Sequence, residues 1–304
     1  MKKSFASTVA ACVLALSYTA AFGADLPRKA AALPPPPPPS PWDIAFGGSV
    51  MSDYNFRGVS QSNRGPSASA YIEPQYKSPI GTFYVGLAGL AIDWPSGPGY
   101  GFTAPSAEID IYGGWRNSWG GFSLDIGGWY YYYPKESFNG FTDQSDFVEV
   151  YGKVGYDFGN GLSIGGNAFY TPDLLHYSTT FTSIFGFSAS KVDATYASGT
   201  AKWVLPWTAG DLGAFVSGEF GHWFIDDGNF IAAGLTDPSY NYWNVGLAFT
   251  YKALTLDLRY HGTDLGATGC GSFLVTGVPN LSNNWCKDTF IASIKFDTTL
   301  SALK

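Results

Sequence analysis

The chain has 304 residues, of which charged residues make up 13% and aromatics 17%, with 38 glycines and a formal net charge of −7. Charge is far below the roughly 25% usual in soluble domains, and the acidic balance argues against a nucleic-acid partner. No apolar run of about 18 residues follows the N-terminal segment, which excludes membrane-spanning helices.

Met1–Gly23 reads as a secretory signal, with Lys2 and Lys3, an apolar stretch around Val9–Leu16, and Ala21-Phe22-Gly23 as a small-x-small cleavage site. Val9-Ala10-Ala11-Cys12 looks like a lipoprotein box, but the apolar stretch before it is short, so no lipidation is expected. Cleavage after Gly23 removes Lys2 and Lys3 and takes the formal charge to −9. Ala24–Pro41 carries Arg28, Lys29 and the proline run Pro34–Pro39. Such a composition builds no core and reads as a disordered, extended polyproline II leader; a periplasmic spacer or docking site is the alternative.

From Trp42 apolar and polar residues alternate, the period of a strand. The first strand is expected over Trp42–Phe56, with Ile44, Phe46, Val50, Tyr54 and Phe56 on one face. Ala68–Tyr76 and Phe83–Ala91 continue the pattern. In the hairpin that follows, Ile109, Ile111, Gly113 and Trp115 oppose Glu108, Asp110, Tyr112 and Arg116. After the Asn117–Gly121 turn, Phe122, Leu124, Ile126, Gly128, Tyr130 and Tyr132 share a face, which is aliphatic in the middle and aromatic at the ends. The alternation recurs over 148–156, 162–170, 197–205, 212–220, 243–251, 254–260 and 290–296, giving about twelve strands, an even number as in bacterial single-chain barrels.

Aromatic residues prefer the headgroup level of a bilayer and aliphatic ones the hydrocarbon. The sorted strands therefore predict an all-β fold: a transmembrane antiparallel up-and-down barrel over 42–304. No charged residue falls on the apolar face of any strand, where Lys or Arg costs roughly 2–4 kcal/mol at mid-bilayer. Short connections at 77–81, 116–121, 157–161, 206–211 and 252–253 alternate with long ones at 93–106, 135–144, 171–190, 224–238 and 262–288. Short periplasmic turns and long external loops place both termini in the periplasm. Trp42, Tyr76, Phe83, Trp115, Phe122, Tyr156, Trp203, Tyr251 and Phe296 make one expected girdle. Tyr54, Phe56, Tyr130, Tyr132, Tyr170, Phe220, Trp243, Tyr260 and Phe290 make the other. Pro74 interrupts the second strand and belongs at a rim or a bulge. A soluble sandwich is the rival fold.

Ser52-Asp53-Tyr54-Asn55-Phe56-Arg57-Gly58-Val59-Ser60-Gln61-Ser62 resembles the TorF-type porin family of proteobacterial outer-membrane proteins. The likeness extends through Glu108–Tyr112, Tyr130–Pro134, Phe147–Tyr151 and Trp243–Leu247 and covers nearly all of Trp42–Phe296. It implies an outer-membrane channel of a Gram-negative bacterium, surrounded by lipid and lipopolysaccharide and inserted by the barrel-assembly machinery. Such barrels commonly end on an aromatic residue that this machinery reads. Here Phe296 is followed by Asp297–Lys304, so either the signal is internal or the last strand runs further.

The inward positions carry the chemistry. Glu73, Glu108, Asp110, Asp125, Glu149, Glu219 and Asp257 are the acidic candidates, and Lys153, Lys202 and Arg259 the basic ones, with Lys295 near the end. A carboxylate excess in a confined lumen favours cations and small neutral polar solutes. The competing reading has these groups pairing across neighbouring strands and plugging the bore; Glu149 beside Lys153 on one strand, and Asp257 beside Arg259, fit it too. Asp53, Asn55 and Arg57, at the external end of the first strand, form either a charged constriction or a loop anchor. Cys270 and Cys286 share the last long loop; export to an oxidising compartment predicts a disulfide. His222 with Ser239 and Asn241 could build an outer-membrane phospholipase site, and adhesion through the long loops is a further alternative. Passive diffusion of small polar solutes is the expected function, with no cofactor, metal or catalytic cycle; the oligomeric state stays open.

Overall fold

The computed structural model describes residues 40–94, 102–138, 145–274 and 283–303. The expected signal Met1–Gly23 and the leader up to residue 39 lie outside the described residues, as do parts of three long loops.

Twelve strands form a closed barrel. In chain order they are β1 (Trp42–Met51), β2 (Ser67–Ser78), β3 (Gly81–Ala91), β4 (Ala107–Trp119), β5 (Phe122–Tyr132) and β6 (Phe147–Asp157). Then follow β7 (Leu162–Thr171), β8 (Ala194–Ala209), β9 (Leu212–Ile225), β10 (Tyr240–Tyr251), β11 (Leu254–Thr263) and β12 (Thr289–Thr299). Each strand pairs antiparallel with its chain neighbours, and β1 closes on β12 with Ala45 opposite Thr299 and Met51 opposite Ser293. No described helix is long and apolar enough to cross a membrane.

Side-chain parity separates two surfaces. Val50, Val85, Ile111, Val150, Ile164, Val245 and Ile294 are exposed on the outside, whereas Glu73, Glu108, Asp110, Glu149 and Asp257 are buried inside. A soluble sheet packs its aliphatic face and wets its carboxylates; this one does the reverse, so the outer belt meets hydrocarbon. At the short-turn end the rings follow one another in register: Trp42 opposite Tyr76, Tyr76 opposite Phe83, Phe83 opposite Trp115. Inside, tyrosines lie over glycines of the adjacent strand. A Cβ on Gly127 would sit 2.7 Å from the Tyr151 hydroxyl, so the close approach of that ring requires glycine.

Two sequence-based expectations change, and two questions the sequence left open, Pro74 and the last strand, are resolved. β1 stops at Met51, and Tyr54 and Phe56 leave the outer girdle, because the chain turns inward at Ser52 and Asp53 and forms a small hairpin pairing Asn55–Phe56 with Val59–Ser60. The turn after β8 is only Gly210–Asp211; Pro206 is absorbed in a register shift between Val204 and Thr208, as its missing N–H requires. Pro74 pairs with Ile44, but the β2–β3 ladder jumps from Ile72 opposite Leu87 to Gln75 opposite Tyr84. β12 runs on to Thr299, and Ser301 then donates to Asp43 from its backbone N–H at 3.1 Å and its hydroxyl at 2.5 Å, pinning the chain end to β1.

Candidate functional site

The long-loop end of the lumen is built around the hairpin Phe56-Arg57-Gly58-Val59. Arg57 and Gly58 have φ of 48° and 92°, the positive pair a two-residue hairpin loop demands. The Asn55 side-chain oxygen accepts the Gly58 N–H at 2.8 Å, and Asp53 accepts the Ser60 and Ser62 hydroxyls at 2.6 and 3.0 Å. Gly58 also lies against β11: a Cβ there would fall 2.1 Å from Thr263 Cγ2.

So braced, the hairpin carries Arg57 into the bore. Its guanidinium donates to both oxygens of Glu149, at 2.7 and 2.9 Å, and both side chains are buried. Tyr131 donates to the same carboxylate at 3.0 Å, and Tyr240 donates to the Arg57 carbonyl at 2.9 Å. Phe56, Phe169, Tyr196 and Trp223 surround the cation with ring centroids 4.4–4.7 Å from Cζ. Burial opposes the charge, but Glu149 outweighs it and holds the guanidinium above its ordinary pKa. Two-point geometry and cation–π contact offset much of the desolvation cost.

Above this pair the long loops form an apolar stopper. Helices α1 (Tyr177–Phe185), α2 (Gly228–Ala232) and α3 (Ala267–Phe273) bring Phe181 and Phe230 to 4.8 Å between centroids, with Tyr177 edge-on to Phe230, Tyr240 edge-on to Phe273, and Trp223 tilted against Phe273. Burial raises the Tyr177 hydroxyl pKa, so it stays a donor, to the Phe273 carbonyl. Cys270 and Cys286 form a disulfide that fastens α3. Arg64 joins the first loop to the last by donating to the carbonyls of Trp285, at 3.2 Å, and Lys287, while holding Asp53 at 3.2 Å.

Below, the lumen is polar. Glu108 accepts from Tyr54 at 2.7 Å and Tyr133 at 2.9 Å. Asp110 lines a cavity of 540 Å³ together with Glu73, Arg116, Asp125 and Lys153 and the rings of Tyr84, Tyr112, Trp129 and Tyr151. Tyr84 bonds to both Asp125 and Tyr151, and Arg116 bonds to Glu73. Lys153 lies 4.6 Å from the Tyr151 centroid and Lys202 4.1 Å from that of Phe215. A second cavity of 250 Å³ adjoins Asp53, Asn55, Asp257 and Arg259; Asp257 is 3.1 Å from Arg259 and 3.9 Å from Lys295. Glu219 accepts from Tyr196 at 2.8 Å and Asn244 at 3.3 Å.

Of the two pairs in the competing reading, Glu149–Lys153 is replaced by Glu149–Arg57, whereas Asp257–Arg259 forms. Arg116, Tyr84 and Trp129 were legible only as inward positions of alternating strands, and nothing local marks Arg64 as a loop clamp. The phospholipase arrangement is not assembled: His222 Nδ1 is bonded to Asn241 at 2.9 Å, whereas the Ser239 hydroxyl bonds to the backbone of Ile225. A serine turned to backbone has no base to activate it. Among the described residues no group of three His, Cys, Asp or Glu could hold a metal ion.

A closed barrel, buried carboxylates within and an uncharged aliphatic belt between aromatic girdles define a bacterial outer-membrane β-barrel of the Gram-negative type. The chain belongs to the family described as bacterial protein of unknown function (Gcw_chp), whose model matches residues 36–294. No curated protein matches it. Among solved structures it is similar to the NanC porin at 10% identity and TM-score 0.47, over 84% of this chain and 98% of that one. It is also similar to LpxR from Salmonella typhimurium, at 9% identity and TM-score 0.42, over 83% and 99% of the two chains. A third is the outer-membrane channel DcaP of Acinetobacter baumannii, at 9% identity and TM-score 0.39, over 84% and 96%.

Proposed function

We propose that the protein is an outer-membrane channel for small polar solutes, cation- or neutral-favouring, whose loops hold it in a closed state. The observation that carries this reading is the polar, charge-lined cavity of 540 Å³ lying beneath a stopper whose centre, Tyr177, Phe181, Phe230 and Phe273, comes from loops. Beyond the Glu73–Arg116 pair its lining carries Asp110 and Asp125 against a single further cation, Lys153, so the carboxylates stay in excess by one. In a bore walled by protein such charges attract cations and repel anions. Short turns and both termini face the periplasm in this reading, and the long loops face outward. The likeness of 52–62 to TorF-type porins agrees with it.

A second reading, a plugged structural barrel, is favoured by the buried Arg57–Glu149 pair. Reversal potentials of the refolded protein in a planar bilayer under a salt gradient test the first. Cation preference, reduced in the double variant Glu108→Gln with Asp110→Asn, is expected. Anion preference unchanged in that variant contradicts the electrostatic reading, and lack of any conductance supports the plugged barrel.

A further inference from the structure

We propose that the large lumenal cavity is a recognition site for a small organic cation bearing a primary ammonium group, held between Asp110 and the stacked rings of Tyr112 and Trp129. This rests on the channel reading for how the solute arrives, but not for its binding.

Asp110 is 4% exposed, and its Oδ1 has no hydrogen-bond partner. A buried acceptor left unpaired is costly, and more so when charged. Glu108, two residues earlier on the same face, cannot relieve it, because both its oxygens already accept tyrosine hydroxyls. Among the described residues neither carboxylate has a Lys or Arg nitrogen within 4.0 Å. The nearest base on the same strand, Arg116, is six residues on, about 20 Å along an extended chain, and is engaged by Glu73. The Asp110 end of the cavity thus has a buried carboxyl group with no cation of its own.

The wall beside Asp110 suits an organic cation. Tyr112 and Trp129 stack at 4.2 Å and 8°, giving a flat aromatic surface against which an alkylammonium chain lies and whose faces favour positive charge. The Trp129 indole N–H is aimed at the Asp110 carboxyl and is its one neighbouring donor among the described residues, although the two fall short of a well-formed hydrogen bond. A solute with an ammonium group supplies the charge-assisted N–H donors that the Asp110 carboxyl otherwise draws only from Trp129. A quaternary ammonium supplies no such donor. Lys153 and Arg116, at the other end of the cavity, limit the site to a single compact positive group.

Ethanolamine is the probe, with tetramethylammonium and glucose as comparisons at equal ionic strength, titrated calorimetrically into the refolded full-length chain in detergent micelles. Saturable binding of ethanolamine, stronger than that of either comparison, is expected. Asp110→Asn should weaken it about tenfold or more, the worth of a hydrogen bond to a charged group, with barrel folding checked by heat-modifiable gel mobility. No saturable ethanolamine signal, equal affinity in Asp110→Asn, or tetramethylammonium binding as tightly each overturns the proposal; the last needs no variant. Because binding is read in micelles, a protein that conducts without binding loses this inference alone. One that binds without conducting loses only the channel reading.

Discussion

Arg57 and Glu149 lie 92 positions apart in the chain and meet inside the barrel through two hydrogen bonds of 2.7 and 2.9 Å. One comes from a loop and the other from a strand, so the pair fixes how deeply the first loop is inserted. Glu149→Gln leaves a buried guanidinium unbalanced and should cost about 3–5 kcal/mol, whereas replacing both partners together, as Arg57→Met with Glu149→Leu, should cost far less. Urea midpoints of the refolded barrel in micelles measure the difference. Arg57→Lys should not rescue, since an ammonium cannot match the carboxylate at two points.

Gly58→Ala should unseat the same hairpin. Its φ of 92° strains any side chain, and the added methyl meets Thr263 Cγ2. A loss of about 1–3 kcal/mol is expected. Faster proteolysis within 52–66, with the barrel core intact, is the accompanying signature.

Reduction of Cys270–Cys286 should loosen the stopper without opening the sheet. The bridge closes a separation of 16 residues, for which about 2–4 kcal/mol is typical. Cys270→Ser should lower the unfolding midpoint and expose α3 to proteolysis while strand content by circular dichroism stays unchanged.

On the outer face, Val150→Arg should cost about 2–4 kcal/mol of membrane stability if that residue lies near mid-bilayer. Val150 is 60% exposed, so a soluble barrel would tolerate the change. Reversible folding into liposomes reads the penalty directly.

The strands and their two faces were legible because a lipid-facing surface imposes a period of two over every crossing, and because aromatic and aliphatic residues sort by depth along each strand. The same rule misled at Tyr54 and Phe56. Alternation continues there by parity although the chain has left the sheet, and only the turn chemistry of Asp53, Asn55 and Gly58 marks the departure. Pro206 looked like a turn because a bulge with register shift has no periodic signature. Glu149, Glu108 and Asp110 were legible as inward carboxylates, but the partners of the first two were not. Arg57, Tyr54 and Tyr133 reach them from loops, and no spacing encodes such contacts. The stopper of Tyr177, Phe181, Phe230 and Phe273 was hidden for the same reason, its residues being spread over three loops.

Single-channel recording from planar bilayers, wild type beside Arg57→Ala, tests most directly whether this barrel is a channel closed by its own first loop. Long closed periods in the wild type, and a higher open probability with retained cation preference in the variant, are the expected result. Equal and continuous conductance in both proteins, or silence in both with the barrels shown to be folded and inserted, would contradict it.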